Sequence, residues 1–361
     1  MKISVIVTFY NLRDYVRGCL DSVLGQDFDD FEVIVVDDGS TDGTGAAVQD
    51  YIDSYEGTHP IKYIYRANAG VSAARNVGFS ESSGDYVMFV DGDDELGFVE
   101  TCSESGELDK IGDSGRTGGS KVGILSVLYD AAVRRKPADI VMCSCTAFDE
   151  DEEWECHFFD GNRDFSRDKT RPLLQLMNGA LFQTGKVITA CGVPWGKLYR
   201  RRFLIDRGLR FDEQLRRMED NVFCMNAFME ANVLYYIDEP LYRYRLSHTL
   251  SYASAYYSPD VYRLMLDRRE KFISEYRDRL PAHFTDEYKC EIVRCLYMSL
   301  KNVVSTCDRR IAPGRMREIA ADDRYRNAEW FRTGVEPGFK VFMLLVRLRL
   351  WHILCMLLKR I

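Results

Sequence analysis

No Cys-x-x-Cys pair occurs among the eleven cysteines of this 361-residue chain, which are scattered from Cys19 to Cys355 with only Cys143 and Cys145 close together. An odd number at such spacings excludes a zinc-site pattern and a disulfide framework, and leaves reduced core thiols. Low-complexity tracts, internal repeats and long Pro/Ser linkers are also missing, so disorder is expected only locally. Basic charge is not in excess. The net charge is −8 and the pI about 5.4, which argues against broad nucleic-acid binding although the last quarter is more basic. No basic region followed by a hydrophobic segment and a cleavage site is visible at the N-terminus, so the expected compartment is the cytoplasm. A G-x-G-x-x-G after the first strand-like run and a G-x-x-x-x-G-K-[ST] anywhere are both lacking, which removes the main support for dinucleotide and P-loop sites.

What is present is an ordinary globular composition, 29% charged and 46% apolar, long enough for a full core and for one large domain with a smaller one, or for two domains. Over residues 1–95, strand-like runs at Ile3–Thr8, Glu32–Asp37, Ile61–Arg66 and Tyr86–Val90 alternate with helical patterns at Leu12–Leu24, Thr44–Tyr55 and Val71–Ser82. Apolar strands spaced by helices predict a mostly parallel, doubly wound α/β sheet with helices on both faces. Residues 97–120 are rich in Gly, Ser and charge and read as a surface insertion, either a lid over a ligand or a plain solvated loop. A helix over Lys121–Arg135 and a strand over Asp139–Cys145 follow. From Pro259 the pattern is helical, with Cys290, Val293, Leu296, Tyr297, Leu300 and Val304 at the spacing of one core-facing stripe.

The chemistry-bearing feature is a pair of apolar runs that end in acids. Tyr86–Val90 delivers Asp91-Gly92-Asp93-Asp94, and Val33–Val36 delivers Asp37-Asp38-Gly39-Ser40. In open α/β sheets ligands bind at the carboxyl ends of strands, and hard oxygen donors gathered there suit Mg²⁺ or Mn²⁺ bridging a diphosphate. Each run taken singly is equally an acidic strand-to-loop turn.

Four segments in order carry a family resemblance: Ser4-Val5-Ile6-Val7-Thr8-Phe9-Tyr10-Asn11, the Asp37-Asp38-Gly39-Ser40 turn, Asn68-Ala69-Gly70-Val71-Ser72-Ala73-Ala74-Arg75-Asn76-Val77-Gly78, and Phe89-Val90-Asp91-Gly92-Asp93-Asp94. Together they resemble the motifs of family 2 glycosyltransferases with the GT-A fold, densely over residues 1–96 and more thinly to about 250. The resemblance implies a catalytic domain over 1–250 and a helical region over 251–361. Thr8, Tyr10 and Asp38 would hold the nucleoside, Arg75 would lie near the base or diphosphate, and Asn76 would cap or brace its loop. Asp91 would reach the ribose or a metal-bound water and Asp93 would ligate Mn²⁺ or Mg²⁺, with Asp94 capping the next segment. Met218-Glu219-Asp220 resembles the family's Glu-Asp pair, so Asp220 is the implied general base of an inverting transfer. Capping of the apolar helix that follows is compatible with that role. Pro194-Trp195-Gly196-Lys197-Leu198-Tyr199 and Tyr242-Arg243-Tyr244-Arg245 also resemble family segments; Lys197, Arg245 or His248 would meet phosphates, and Trp195 would pack on a sugar or in the core.

The expected activity is transfer of a sugar from a nucleotide-sugar donor, UDP favoured, to a growing surface glycan of the capsule, exopolysaccharide or lipopolysaccharide type, with a polyprenyl-diphosphate-linked acceptor and no nucleic-acid partner. A nucleotidyltransferase, or a non-catalytic nucleotide-binding scaffold on the same fold, remains as the alternative. Over 339–361, Phe339, Met343, Val346, Leu350, Leu354 and Leu357 accompany Lys340, Arg347, Arg349, Lys359 and Arg360. This segment is too interrupted by charge to span a bilayer, which takes about twenty mainly apolar residues. It reads as a basic amphipathic helix, either on the anionic inner face of the cytoplasmic membrane or docked on the protein's own core.

Overall fold

The computed structural model describes residues 1–100, 121–134, 136–177, 191–246, 259–281, 283–329 and 337–359. The chain divides into two compact units, Met1–Ser247 and His248–Ile361.

In the first unit, strands β1 (Ile3–Phe9), β2 (Phe31–Asp37), β3 (Ile61–Tyr65) and β4 (Tyr86–Asp91) alternate with helices α1 (Val16–Leu24), α2 (Thr44–Ser54) and α3 (Val71–Glu81). β1, β2 and β4 are almost wholly buried, as unbroken Val/Ile/Phe runs require. The pairs β1–β2, β1–β4 and β2–β3 are parallel. α3 seals this half of the sheet: Ala74 joins Ile34 and Val36 in a buried cluster with Ile64 and Val77 packed against it.

Beyond β4 come the short strands β5 (Glu95–Leu96), β6 (Phe98–Glu100) and β7 (Lys121–Gly123), then α4 (Ile124–Val133), β8 (Ile140–Phe148), β9 (Glu153–Cys156), β10 (Arg163–Asp164) and α5 (Thr170–Met177). β11 (Lys197–Arg200), α6 (Arg201–Asp206), α7 (Glu219–Glu230) and β12 (Leu234–Arg245) complete the unit. The main sheet order is β10-β12-β8-β11-β4-β1-β2-β3. It is parallel from β4 to β3 and mixed beyond, because β11 runs antiparallel to both β4 and β8. Lys121–Gly123, expected to open a helix, instead pairs with Phe98–Glu100, and the helix begins at Ile124. Residues 101–120 of the expected insertion lie outside the described residues.

The second unit is helical: α8 (Pro259–Glu275), α9 (Phe284–Thr306), α10 (Ala312–Ala320), α11 (Asp323–Arg326), α12 (Pro337–Arg347) and α13 (Trp351–Leu358). α9 is its axis, with Cys290, Val293, Leu296, Leu300 and Val304 buried at three- and four-residue spacing. The expected single helix over 339–361 is broken. Arg349 adopts a left-handed φ of 55° between α12 and α13, which interrupts the helical hydrogen-bond ladder. Among the described residues no helix is long and apolar enough to cross a membrane.

Candidate active site

Strand register sets the site. Thr8 pairs with Asp91 and Phe9 with Asp37, so β1, β2 and β4 end at one level. After β4 the chain turns sharply: the Gly92 N–H donates to the Thr8 carbonyl (3.0 Å) and the Asp94 N–H to the Asp91 carbonyl (3.0 Å). A Cβ at Gly92 would sit 2.3 Å from Phe9 Cδ1 and 2.7 Å from the Thr8 oxygen, so only glycine lets the turn lie this close to β1 with Asp91 and Asp93 on either side.

Behind the turn, Asp94 is buried and fully occupied. The Tyr242 hydroxyl donates to one of its oxygens (2.7 Å) and the Arg245 N–H to the other (2.8 Å). Burial, with Asp93 and Asp91 adding to it, holds the Asp94 carboxyl well above the usual carboxylate range. The Arg245 guanidinium donates to the Asp93 carbonyl (2.8 Å), pairs with Glu95 (2.6 Å) and packs 4.3 Å from the Phe148 ring centre. Arg245 is thus tied to the backbone of the acidic turn rather than held free for a phosphate. The Tyr242 oxygen also accepts from the Asp91 N–H (3.2 Å), which joins β12 to the end of β4.

In front, Asp91 and Glu219 share one guanidinium, whose charge also reaches Asp93 and Asp220. Arg75 of α3 is buried; it donates through Nη2 to Asp91 Oδ1 (2.7 Å), its Nη1 lies 3.6 Å from Glu219 Oε1, and the Phe211 ring packs against it at 5.2 Å. Asp93 is half-buried and is pushed up to about 6, first by burial and then by Asp91. Glu219 is pushed up to about 7 by burial and then by Asp220, against the opposing pull of Arg75. The Asp220 carboxyl is raised by burial as well, with Arg75 again opposing, and its Oδ1 accepts the Asn221 N–H at 2.6 Å. Both acids open α7 directly after Met218, which takes a left-handed φ of 63°. The first turn of a helix favours acidic side chains, since unpaired N–H groups gather there.

A second cluster surrounds Asp38. Its carboxylate, 2% exposed, accepts the N–H groups of Ala69 (3.1 Å) and Gly70 (2.7 Å) and lies 3.4 Å from Arg66 Nε. Asp37 accepts the Ser40 N–H (2.8 Å) and the Tyr63 hydroxyl (3.1 Å). Gly39 closes the turn with φ of 82°, where a Cβ would meet the Asn68 nitrogen at 2.6 Å. The Asp37–Ser40 turn and the Asn68–Gly70 loop are therefore one knit surface at the end of β2. Thr8 is buried at the end of β1, and Tyr10, 40% exposed, stands just beyond it.

Two further residues differ from their expected settings. Lys197 is wholly buried; its ammonium donates to the carbonyls of Val193 (2.6 Å) and Trp195 (3.3 Å), so it holds the 193–197 turn and is not directed at a ligand. Trp195 is core: its ring stacks on Tyr242 at 4.3 Å and on Tyr244 at 5.2 Å. His248 lies outside the described residues. Sequence reading gave no role to Tyr242, Glu219 or Arg216. Alternation along β12 could have placed Tyr242 and Tyr244 on one face, whereas nothing local marks Arg216, which donates to the Ala69 carbonyl at 2.9 Å. Asn76 braces the same region, exchanging hydrogen bonds with the Phe211 backbone at 2.9 and 3.0 Å.

A family model described as glycosyl transferase family 2 matches residues 4–97, the segment that holds Thr8, Asp38, Arg75, Asp91 and Asp93. This segment is a family 2 glycosyltransferase domain. Glycosyltransferase GlyA of Streptococcus pneumoniae serotype 4 is 32% identical over 248 residues, covering 68% of this chain and 30% of GlyA. The chain thus spans less than a third of the length of that relative. It shares its fold with Staphylococcus aureus TarS residues 1–349, solved in complex with UDP-GlcNAc: TM-score 0.58 and 22% identity over 93% of each chain. A mannosyltransferase from Pyrobaculum calidifontis, solved with GDP-Man and Mn²⁺, aligns with TM-score 0.51 and 16% identity over 97% of this chain and 87% of its own. Among the described residues no three His, Cys, Asp or Glu side chains converge so as to hold a metal ion by themselves.

Proposed function

We propose that the chain is an inverting glycosyltransferase of surface-glycan assembly, which moves a sugar from a nucleoside-diphosphate sugar, UDP favoured, to a hydroxyl of a growing glycan. The observation that carries the reading is the meeting of the 91–93 strand end with the start of α7 at one guanidinium: Arg75 reaches Asp91 at 2.7 Å and Glu219 at 3.6 Å. A donor-side acidic turn and an acceptor-side carboxylate in one place are what a displacement at an anomeric carbon requires. The TarS complex with UDP-GlcNAc supports the choice of donor class.

In this reading Thr8, Tyr10 and the Asp38 turn form the nucleoside end of the site. Asp220 is the general base. Burial raises its carboxyl, which makes it the stronger proton acceptor near neutral pH. It takes the proton of the acceptor hydroxyl as that oxygen bonds to the anomeric carbon; the bond from that carbon to the diphosphate oxygen breaks, and the nucleoside diphosphate leaves with the electron pair. Glu219 and Arg75 hold the two acidic segments at a fixed spacing.

A divalent cation fits the donor set. Asp93 and Asp91 offer hard oxygens at one strand end, and burial, with Asp91 beside it, raises the Asp93 carboxyl despite the opposing charges of Arg245 and Arg75. Two carboxylates with the rest of the shell from phosphate and water is the way Mg²⁺ is commonly bound. When bound, Mg²⁺ or Mn²⁺ would supply charge stabilisation to the departing diphosphate. The acceptor class extends to a polyprenyl-diphosphate-linked glycan, with the protein peripheral on the inner face of the cytoplasmic membrane.

The test is Asp220→Asn. Calorimetric titration with the donor should give near-normal affinity while turnover falls roughly 10²- to 10⁴-fold. Unchanged turnover would remove Asp220 from the role of base.

A further inference from the structure

We propose that α12 and α13 form an in-plane docking face for an anionic lipid surface, made by the helix pair together and not by one straight helix. Each helix spends one stripe on its own unit. Phe342 and Met343 of α12 are buried, as are Trp351, Leu354, Cys355 and Leu358 of α13, at spacings of three and four. Phe339 and Phe342 meet Tyr297 of α9 at 5.1 and 5.3 Å between ring centres, and the Cys355 sulfur reaches that of Met316 on α10 at 3.3 Å.

A helix docked on one side carries polar residues on the other. These do not. Val341, Leu344 and Leu348 on the first segment, with Ile353, Met356 and Leu357 on the second, are all exposed, Val341 by 59% and Met356 by 61%. Apolar side chains left outward on two successive helices are a contact surface in want of an apolar partner. The charges name the partner. Residues 337–359 contain Lys340, Arg347, Arg349 and Lys359 and no Asp or Glu, in a chain whose net charge is −8. Arg349 and Lys359 are exposed beside the apolar face. Cations bordering exposed aliphatic side chains match a layer of anionic head groups over acyl chains. The left-handed Arg349 makes the break between the helices, and neither is long enough to cross the bilayer, so the pair lies on it. The assignment stands on this helix pair alone and is independent of the transfer chemistry.

The experiment is flotation of the full-length protein with phosphatidylcholine vesicles containing or lacking phosphatidylglycerol, run beside Leu344→Glu/Met356→Glu and Lys340→Gln/Lys359→Gln. All four side chains can change without opening a buried stripe. The wild type should float with the anionic vesicles and release as salt rises. The glutamate pair should stay in the soluble fraction with an unchanged melting curve and unchanged nucleotide-sugar hydrolysis, and the glutamine pair should bind roughly 25-fold more weakly, about 5-fold for each cation lost. Failure of the wild type to float at low salt would overturn the proposal. So would a glutamate pair that floats like the wild type. A glutamate pair that converts a dimer to a monomer, with no vesicle binding by the wild type, would assign the face to a second copy of the chain instead. Because hydrolysis is read separately, failure here leaves the transferase reading where it stands.

Discussion

Replacing Arg75 by Met removes the guanidinium that Asp91 and Glu219 share, and the structure fixes both the size and the pH dependence of the loss. Removing one partner of a buried ion pair costs about 3–5 kcal/mol. Asp91 is partly exposed and can rehydrate while Glu219 is nearly covered, so the lower end, about 3 kcal/mol, is the expected value for Arg75→Met. At an m-value of about 3 kcal/mol per molar urea, the midpoint drops by about 1 M. Arg75 pulls the Glu219 carboxyl down against burial, which holds it at about 7. Without the guanidinium Glu219 binds its proton more tightly, the folded variant carries more protons than the folded wild type, and the stability gap widens as pH rises. The loss should therefore be larger at pH 8 than at pH 6. Hydrogen exchange at the β1 and β4 amides along a urea series reports this unit by itself. A midpoint within about 0.3 M of the wild type at both pH values would refute the shared-guanidinium account.

Three other outcomes follow from the same geometry. Gly92→Ala should cost about 1–3 kcal/mol in thermal unfolding and also impair donor hydrolysis, since the Phe9 ring and the Thr8 carbonyl must yield and carry the turn with them; a variant with wild-type melting and activity would contradict the close approach. Glu219→Gln should flatten the pH dependence of stability: a folded-state value raised from 4.5 to about 7 means that Glu219 carries no cost below pH 4.5, and that its cost grows as pH rises from 4.5 to 7 and is fully present above that, at most on the order of 3 kcal/mol. The Gln variant should then match the wild type near pH 4 and exceed its melting temperature at pH 8, and identical pH slopes would exclude the shift. Asp220→Asn separates binding from turnover, as set out above.

The first, second and fourth strands were legible because each is a mainly apolar run that leads into a turn: Ile3–Thr8 and Tyr86–Val90 in the sequence become Ile3–Phe9 and Tyr86–Asp91 in the structure. The acids at their ends followed from the same pattern, but their partners did not. Contact of Arg75 with Glu219 depends on α7 returning to the sheet from far along the chain, and no local spacing encodes it. Lys197 and Arg245 looked like free cations because charge is visible in a sequence whereas the carbonyls that consume it are not; the first is spent on Val193 and Trp195, the second on Asp93 and Glu95. The break at Arg349 escaped for a related reason. Hydrophobic periodicity continues through it, and only the backbone conformation shows that one amphipathic stretch is two helices.

The most direct test of the central claim, that the 91–93 turn and α7 form a nucleotide-sugar transfer site, is nucleoside diphosphate release from a panel of nucleotide sugars by the purified protein with Mn²⁺, Mg²⁺ or EDTA, beside Asp93→Ala. The account predicts release from one donor, dependent on the cation and abolished in the variant. Release that persists in Asp93→Ala, or a protein that neither hydrolyses nor binds any donor in the presence of the cation, would contradict it.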